Sequence, residues 1–489
     1  MKQTNRAAAL LISLMTGACA TLPSSLTAAA PAMTAPLAQT AAKAPAAQPT
    51  VTKKALPAKP AVVAATETKA VFQDLGIKPT AAEQTDAETF FTQALVQAAD
   101  ASPGSDDATP ATPAPSSFLV DPTARENETK LLIDDTEIFP ELIESLKAAQ
   151  TRIQIDIYLL GGDIGMTIAK VLAERAEAGV DVKVMLDPKL GLGGPTVDGI
   201  RKVVNFLRLS KVGMKFYPLA LFGKMVNKLQ DRLQIDHNKI VVIDGNTAFM
   251  GGMNFDDLAR PNRDLTLKFT GPTAVELSAM LDAEWTIGKD PASVLKTKAT
   301  GLIRLAQTAP QQRNNKELVL SEIAGAKRSI HVTMYEFGDA EIAKALAAAY
   351  QRGIDVRVML DPKGDRLKKY GVGALPNGIP NVMPARELLK VGAQVRWFKP
   401  WRVNQELHMK AMVVDGTRLV AGSTNWTPNA FRNFRETSFV CAGPAADKYE
   451  AMFQEMWTSR STACDKLSVK QQMLARLTDY LNNHNLAFW

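Results

Sequence analysis

The four histidines are the residues of this 489-residue chain that are best suited to chemistry, and two of them begin the same pattern. The pattern is HxKxxxxDG, followed after an apolar run by Gly-small-x-Asn. Its copies are residues 235–255, IDHNKIVVIDGNTAFMGGMNF, and residues 406–426, ELHMKAMVVDGTRLVAGSTNW. A lone HxK pair carries little information, whereas the whole spaced pattern twice in one chain is specific. The two segments are therefore the first candidates for a functional site.

Each copy predicts a β-hairpin that gathers an imidazole, an ammonium and an amide. The apolar runs 240–243 and 411–414 indicate buried strands, and Asp-Gly after such a run indicates a tight turn. Residues two apart on a strand share a face, so each His points the same way as its Lys. The returning strand then brings an Asn to the pair. The expected clusters consist of His237, Lys239, Asn254, His408, Lys410 and Asn425.

These residue types suit a phosphate group. Lysine and asparagine bind phosphate oxygens, and histidine serves as a nucleophile or a general acid–base. One imidazole can hardly work on both sides of phosphorus, whereas two facing imidazoles can. We interpret Asp244 and Asp415 as structural turn residues, and Gly251 and Gly422 as positions of close backbone approach.

The other two histidines fit structural interpretations better. His331 lies in an apolar run and is expected in the core, and His484 lies in a polar tail and is expected in solvent.

At the two motifs the sequence resembles the phospholipase D superfamily, whose signature is HxKxxxxD followed by GSxN. The resemblance covers roughly residues 125–460, and the one departure is Gly252, where the family usually has Ser. The resemblance implies a phosphohistidine intermediate, with His237 as nucleophile and His408 as general acid, and neither a metal nor a cofactor. It also implies a set of residues that bind the substrate phosphate: Lys239, Lys410, Asn254, Asn425 and Ser423.

An acidic residue follows each motif, Asp264 in the first copy and Glu436 in the second. The resemblance implies that these carboxylates hydrogen-bond the imidazoles, which would fix the tautomer and stabilise an imidazolium. The alternative is an ordinary charge at the start of a strand. Asn433 is a further candidate for the wall of the site.

The elements that position these residues are also repeated. Residues 145–187 and 322–361 share one order: a helix, an apolar strand that ends in Tyr158 or Tyr335, a second helix, a Gly and a strand Val-Met-Leu-Asp. Such βαβ order predicts a mostly parallel sheet with helices on both faces.

The fold class expected is α/β, with two tandem phospholipase D-like repeats related by pseudo-two-fold symmetry. We assign residues 118–295 and 296–489 to the repeats, each a mixed β-sheet flanked by helices. Because one chain holds both motifs, a monomer suffices.

The N-terminal part has the composition of an export signal and a tether. In residues 1–30, Lys2 and Arg6 precede a short apolar run and small residues. The alternative to simple cleavage is a lipoprotein signal with Cys19 acylated. Residues 31–117 are rich in Ala and Pro and predict a disordered linker. We therefore expect export to the periplasm, the cell envelope or the medium.

The substrate is less well defined by the sequence. The net charge of +7 suits an anionic membrane surface or nucleic acid. Aromatic residues, which stack on bases, are only 6% of the chain, and this favours a phospholipid. The alternatives are an exported nuclease of the same superfamily and, with less support, a non-catalytic phosphate- or lipid-binding protein.

Two further features allow alternative interpretations. Residues 219–229, LALFGKMVNKL, are either an interfacial element at the mouth of the site or an ordinary helix. Cys441 and Cys464 form either a disulfide bridge after export or two unrelated buried thiols.

Overall fold

The computed structural model describes residues 120–489 except 122, 125, 190–196, 220–233, 287–301, 311, 363–377, 486 and 488. The predicted export signal, Cys19 and the predicted linker lie outside the described residues. Of the predicted interfacial segment 219–229, only Leu219 lies within them.

The first repeat alternates strands and helices and ends with a hairpin, a strand and a helix. Its elements are β1 (Thr129–Ile133), α1 (Asp134–Lys147), β2 (Arg152–Ile157), α2 (Gly162–Glu177), β3 (Asp181–Leu186), α3 (Val197–Arg208), β4 (Gly213–Phe216), β5 (Ile235–Asp236), β6 (Lys239–Ile243), β7 (Thr247–Gly251), β8 (Leu265–Thr270) and α4 (Pro272–Trp285).

The second repeat follows the same plan with short additions. Its elements are β9 (Ile303–Ala309), β10 (Gln312–Arg313), α5 (Asn315–Gly325), β11 (Ser329–Met334), α6 (Ala340–Gln351), β12 (Asp355–Leu360), α7 (Val382–Lys390), β13 (Gln394–Phe398), β14 (Lys410–Val414), β15 (Arg418–Gly422), α8 (Pro428–Arg432), β16 (Phe434–Ala442), α9 (Pro444–Ser459), β17 (Ser461–Ala463) and α10 (Val469–Asn483).

The strands have the same order in both sheets. The first sheet runs β1-β8-β7-β6-β2-β3-β4, and the second runs β9-β16-β15-β14-β11-β12-β13, with β10 and β17 added at its edges. This correspondence confirms the predicted α/β fold of two tandem repeats, each built on a mixed sheet.

The expectation of a mostly parallel sheet is wrong. In the first repeat only the β2–β3 and β3–β4 ladders are parallel, and the other ladders of the seven-stranded order are antiparallel. The physical reason lies in the motif itself. Its Asp-Gly turn joins β6 directly to β7, and a parallel neighbour would require a long crossover connection.

The Asp-Gly turns have the backbone that such hairpins require. φ is positive at both central residues, 50° and 70° at Asp244 and Gly245 and 55° and 69° at Asp415 and Gly416, as in a type I′ turn. The Asp415 carboxylate also accepts hydrogen bonds from the backbone amides just before β11, including that of Arg328 at 2.7 Å. The Asp244 carboxylate accepts from the N–H of Thr151 at 2.7 Å in the same way. Each aspartate thus joins its hairpin to the start of the adjacent antiparallel strand, β2 or β11, which is a structural role.

Among the described residues, three large hydrophobic cores hold the layers together. Helices α1, α2 and α3 pack on the outer face of the first sheet, and α5, α6, α7 and α10 pack on that of the second. The inner faces share one core with α4 and α9, in which Leu267 and Leu277 lie with Phe439 and Tyr449. This shared core fixes the position of one repeat against the other.

Two histidines and two cysteines of the described residues lie outside the motifs. His331 is buried as expected, stacked on Phe453 with ring centroids 4.8 Å apart, and its Nδ1 lies 2.8 Å from an oxygen of Glu450. His484 is exposed, as expected. Cys441 and Cys464 are free buried thiols in different cores, so the alternative of a disulfide bridge between them is wrong.

Candidate active site

The two motifs meet where each repeat pairs with a strand of the other. β5 runs parallel to the start of β16, and the N–H of His237 donates to the carbonyl of Arg435 at 2.9 Å. Across the pseudo-dyad the N–H of His408 donates to the carbonyl of Arg263, also at 2.9 Å, beside a bridge between Arg263 and Leu407. Each histidine is therefore anchored to the opposite repeat by a backbone hydrogen bond.

The carboxylates cross the pseudo-dyad in the same way. Nδ1 of His237 lies 2.8 Å from Oε1 of Glu436, and Nδ1 of His408 lies 2.6 Å from Oδ2 of Asp264. The hydrogen bonds implied by the resemblance are present, but each joins residues of different repeats. Because Nδ1 of each ring faces a carboxylate, Nε2 is the nitrogen on the opposite side of each ring from that carboxylate.

The site is buried, and burial dominates its electrostatics. It lowers the pKa of His237 well below the ordinary value, and the charges of Lys239 and Lys410 lower it further. Burial also lowers the pKa of Lys239 to about 7, although Glu436 opposes the change. For the carboxyl groups of Asp264 and Glu436 burial acts in the other direction and raises the pKa. Such a site favours neutral groups and strengthens every remaining interaction.

We call each motif with its partner carboxylate a half-site. The lysines are held by the same contact in both half-sites. Nζ of Lys239 donates to the carbonyl of His237, and Nζ of Lys410 to that of His408, both at 2.6 Å. The half-sites differ at the ring, because Nζ of Lys410 also lies 3.0 Å from Nε2 of His408. An ammonium has three donor hydrogens, so each lysine can hold its strand and also meet a phosphate oxygen.

Two tyrosines complete the half-sites, and sequence reasoning gave them no role. The Tyr158 ring lies 4.8 Å from that of His237, and the Tyr335 ring lies 4.4 Å from that of His408, between centroids. The ammonium groups of the two lysines lie 5.1 Å and 4.5 Å from the same tyrosine rings. The signal was available, since a Tyr directly follows β2 and its counterpart β11 in the repeated sequence.

The asparagines lie buried beside these groups. Nδ2 of Asn425 donates to Glu336 at 3.1 Å. Within the part of the chain that the structure describes, Oδ1 of Asn254 and Oδ1 of Asn425 are buried without a hydrogen-bond partner. Buried polar atoms are normally paired, and an amide oxygen accepts hydrogen bonds, so these two atoms are suited to a donor such as the hydroxyl group of an acceptor alcohol. A phosphate oxygen would have to be met by the Nδ2 groups.

The residue that follows the first glycine of the Gly-small-x-Asn sequence is Gly252 in the first repeat and Ser423 in the second. Ser423 Oγ accepts a hydrogen bond from the N–H of Thr437 at 3.1 Å, so the backbone of β16 engages this predicted substrate-binding hydroxyl. At Gly252 a Cβ would stand 2.3 Å from Oδ1 of Asp264, so the carboxylate occupies the space of a side chain. At Gly251 and Gly422 a Cβ would stand 2.2 Å and 2.4 Å from a carbonyl of the adjacent strand, which agrees with the expected close approach.

Two aspartates anchor the chain where it enters each motif, and sequence reasoning missed them. Asp187 accepts a hydrogen bond from the N–H of Asp236 at 2.7 Å, and Asp361 accepts one from the N–H of Leu407 at 2.9 Å. Both belong to the repeated Val-Met-Leu-Asp strand. Their recurrence was visible, but their partners lie 46 to 49 residues away.

Arg435 forms a buried ionic cluster next to the first half-site. It is 1% exposed, and its guanidinium pairs with three carboxylates, those of Asp156, Asp236 and Glu284. Asp236 directly precedes His237, and Arg435 directly precedes Glu436, so the cluster fixes both strands that carry this pair. The remaining candidate, Asn433, is buried and donates from Nδ2 to Asn429 at 2.7 Å, at the end of α8.

Among the described residues no group of three or more His, Cys, Asp or Glu side chains is arranged to hold a metal ion. In the same part of the chain, no helix is both long and apolar enough to span a bilayer.

The chain has two similar repeats, and each motif histidine pairs with a carboxylate of the other repeat. Comparison with known families identifies the class of protein that has this arrangement. Residues 142–285 and 319–457 match the family model described as "Cardiolipin synthase, PLD-like domain". The chain is therefore a member of the phospholipase D superfamily. Within that superfamily it belongs to the cardiolipin synthase, PLD-like domain family.

Several curated proteins are similar to this chain. A probable cardiolipin synthase of Bacillus subtilis is 26% identical over 354 residues, 68% of this chain and 66% of the relative. Cardiolipin synthase of Alkalihalophilus pseudofirmus is 27% identical over 340 residues, 65% of this chain and 64% of the relative. Cardiolipin synthase A of Pseudomonas entomophila is 28% identical over 350 residues, 68% and 69% of the two chains. The chain thus spans about two thirds of the length of these relatives.

Among solved structures, phosphatidylserine synthase of Haemophilus influenzae has a similar fold. The TM-score is 0.55 at 13% identity, and the match covers 73% of this chain and 92% of the other.

Proposed function

We propose that this protein is a phospholipase D-type phosphatidyltransferase that acts on phospholipids through a phosphohistidine intermediate. The observation that carries the proposal is the crossed arrangement of His237 with Glu436 and of His408 with Asp264 in one buried site. Membership of the family supports the chemistry, and the relatives' names as cardiolipin synthases support transfer of a phosphatidyl group.

In the first step Nε2 of His237 attacks phosphorus, and the bond from phosphorus to the leaving alcohol oxygen breaks. His408 gives its proton to that oxygen, and Asp264 stabilises the imidazolium beforehand. A nucleophilic imidazole must be neutral with its proton on Nδ1, and the Glu436 carboxylate accepts that proton's hydrogen bond. Burial keeps the pKa of His237 low, which supports this role.

In the second step an acceptor alcohol or water loses a proton to His408 and attacks phosphorus. The bond from phosphorus to Nε2 breaks, and His237 returns to its starting state. Lys239, Lys410 and the two motif asparagines bind the non-bridging oxygens and stabilise the charge that develops on them. With a glycerol-type alcohol as acceptor the reaction is transfer, and with water it is hydrolysis.

The proposal is tested with purified protein and three labelled phosphodiesters: phosphatidylglycerol, phosphatidylcholine and single-stranded DNA, each with and without a primary alcohol. We expect phosphatidyl transfer from a phospholipid to the alcohol. His237→Ala should abolish it, and His484→Ala, at an exposed histidine, serves as the matched control. Cleavage of DNA with no turnover of either lipid would replace the proposal with the nuclease.

We propose export for this chain on the composition of residues 1–30 alone, with Cys19 as a lipidation site if that signal is a lipoprotein signal. Fusing residues 1–40 to a reporter that is active only outside the cytoplasm tests export. A silent reporter would contradict it, and labelling with palmitate that depends on Cys19 would assign the lipoprotein signal.

A further inference from the structure

Exposed large hydrophobic side chains are few in the described part of the chain, and two of them lie together. The four are Leu209, Val275, Trp401 and Val403. Trp401 and Val403 belong to the segment 399–404, KPWRVN, which we call the Trp401 loop. Val403 is 85% exposed and Trp401 37%. Single exposed apolar residues are ordinary, whereas an aromatic and an aliphatic residue at one loop tip form a patch.

The Trp401 loop is fixed by hydrogen bonds. The side chain of Gln405, itself buried, accepts hydrogen bonds from the N–H groups of Trp401 at 2.9 Å and Arg402 at 3.3 Å. Asn404 has φ +57°, which turns the chain back into the protein. Arg402 is tied to Asp135 at the start of α1, with 2.8 Å between Nη1 and Oδ1. The two apolar side chains are therefore held on the surface by the structure beneath them.

Two guanidinium groups lie against the Trp401 ring, of which that of Arg263 is paired with Asp134. The guanidinium of Arg460 lies 4.8 Å from the centre of the Trp401 ring, and that of Arg263 lies 5.5 Å from it. Lys399 is exposed, and the loop itself contains no acidic residue. Tryptophan with neighbouring Lys and Arg is the composition that favours the boundary between lipid headgroups and acyl chains.

The Trp401 loop lies beside the second half-site. It ends four residues before His408. Arg263, whose guanidinium contacts the Trp401 ring, directly precedes Asp264, and Asp264 is the hydrogen-bond partner of His408. A surface that meets this loop is therefore close to the proposed general acid.

We propose that the Trp401 loop docks the protein onto an anionic phospholipid bilayer. Trp401 and Val403 enter the interface, and Lys399 and the guanidinium of Arg460 meet the lipid phosphates. The inference rests on the proposed function, because docking at this place brings the second half-site to its lipid substrate.

The test measures binding without turnover, by co-sedimentation with vesicles of phosphatidylcholine and phosphatidylglycerol in equal parts. The variant Trp401→Ala/Val403→Ser should bind at least about tenfold more weakly, because it removes most of the inserted apolar area. Leu209→Ser is the matched control, since Leu209 is 91% exposed in the first repeat, and should bind like the wild type. Lys399→Glu should weaken binding to these vesicles more than to pure phosphatidylcholine.

The melting temperature of each variant checks that it is folded. Equal binding by the double variant and the wild type would overturn the inference, and so would equal loss in Leu209→Ser. The inference would also be overturned if the wild type formed a dimer and the double variant did not, because the loop would then bind a second copy of the chain. If the loop binds vesicles but no phospholipid is turned over, the docking stands and the proposed function fails. If lipid in detergent micelles is turned over but the loop variants bind vesicles like the wild type, the proposed function stands and the docking inference fails.

Discussion

At the scale of single residues, Lys239 is one of the buried groups whose charge should make the proposed reaction respond to pH. Burial lowers its pKa to about 7, so the ammonium is present below that pH and is lost above it. We expect kcat/KM for a soluble phosphodiester to fall as the pH rises through about 7. The fall in kcat should come at higher pH, because the bound phosphate anion stabilises the ammonium.

The wild-type pH profile alone tests this expectation, and a kcat/KM that stays level to pH 9, roughly two units above the pKa expected here, would contradict it. Lys239→Arg is the informative variant, because a guanidinium remains charged throughout the range. Its profile should lack the part of the fall that the Lys239 ammonium causes, whereas the carboxyl groups of Asp264 and Glu436, whose pKa values burial raises, still titrate.

Gly252 and Asp264 form a matched pair. A Cβ at position 252 would stand 2.3 Å from Oδ1 of Asp264, so Gly252→Ser should displace the carboxylate from His408. We expect kcat to fall by about tenfold or more, since general acid–base help is typically worth 10²–10⁴-fold. The double variant Gly252→Ser/Asp264→Glu copies the Ser423 and Glu436 pair of the second repeat and should recover part of the loss. A fully active Gly252→Ser enzyme would show that the close contact is unimportant.

Spacing along the chain predicted which residues of each motif cluster, but it did not predict that each histidine pairs with a carboxylate of the other repeat. His, Lys and Asn of each motif lie on one hairpin, so strand geometry brings them together. The partner of His237 is 199 residues away and that of His408 is 144 residues away. Nothing local in the sequence distinguishes a bond within a repeat from one between repeats. Arg435 was missed for the same reason, because its three carboxylate partners come from distant elements.

At the scale of elements, the aspartate of the second hairpin turn should matter for stability. Backbone N–H groups of Arg328, Ser329 and Lys327 donate to the Asp415 carboxylate and, against the effect of burial, lower its pKa. Asp415→Ala leaves these donors without their partner and should cost about 1–3 kcal/mol in the free energy of unfolding. Denaturant unfolding measures this cost, and Asp465→Ala, at an exposed site, is the control.

The pH dependence of this contribution has a definite sign. The folded pKa of Asp415 lies below the unfolded value of about 4, so the stabilisation is present above that value. It is lost as the pH falls through the folded pKa. The stability difference between wild type and Asp415→Ala should therefore shrink in acid, and a difference that grows in acid would contradict the role given to this carboxylate.

The helices, strands and turns were largely predictable, and the direction of the strands was not. The hydrophobic period and the Asp-Gly signal are local, so they specified β6 and β7 and the turn between them. Whether a strand is parallel or antiparallel depends on which other strand it pairs with, and that strand can be distant in the sequence. The βαβ order describes β2, β3 and β4 correctly, but β6, β7, β8 and β1 extend the sheet antiparallel.

At the scale of the whole molecule, one chain contains both half-sites. The shared core between the sheets holds the repeats against each other, and each imidazole finds its carboxylate within the same chain. We expect a monomer in solution, with a rate per molecule that does not change on dilution. Light scattering after size exclusion measures the mass. Activity that is lost on dilution together with dissociation of a dimer would contradict the expectation.

In the proposed mechanism His237 attacks phosphorus while His408, held by Asp264, supplies and removes protons. A p-nitrophenyl phosphodiester needs little protonation of its leaving group, so His408→Ala should still be phosphorylated but should lose the phosphoryl group slowly. Intact-protein and peptide mass spectrometry after mixing measures the adduct directly. We expect an adduct on His237 in His408→Ala and none in His237→Ala. An adduct on His408 in His237→Ala would reverse the roles, and a stoichiometric burst without any histidine adduct would reject the covalent mechanism.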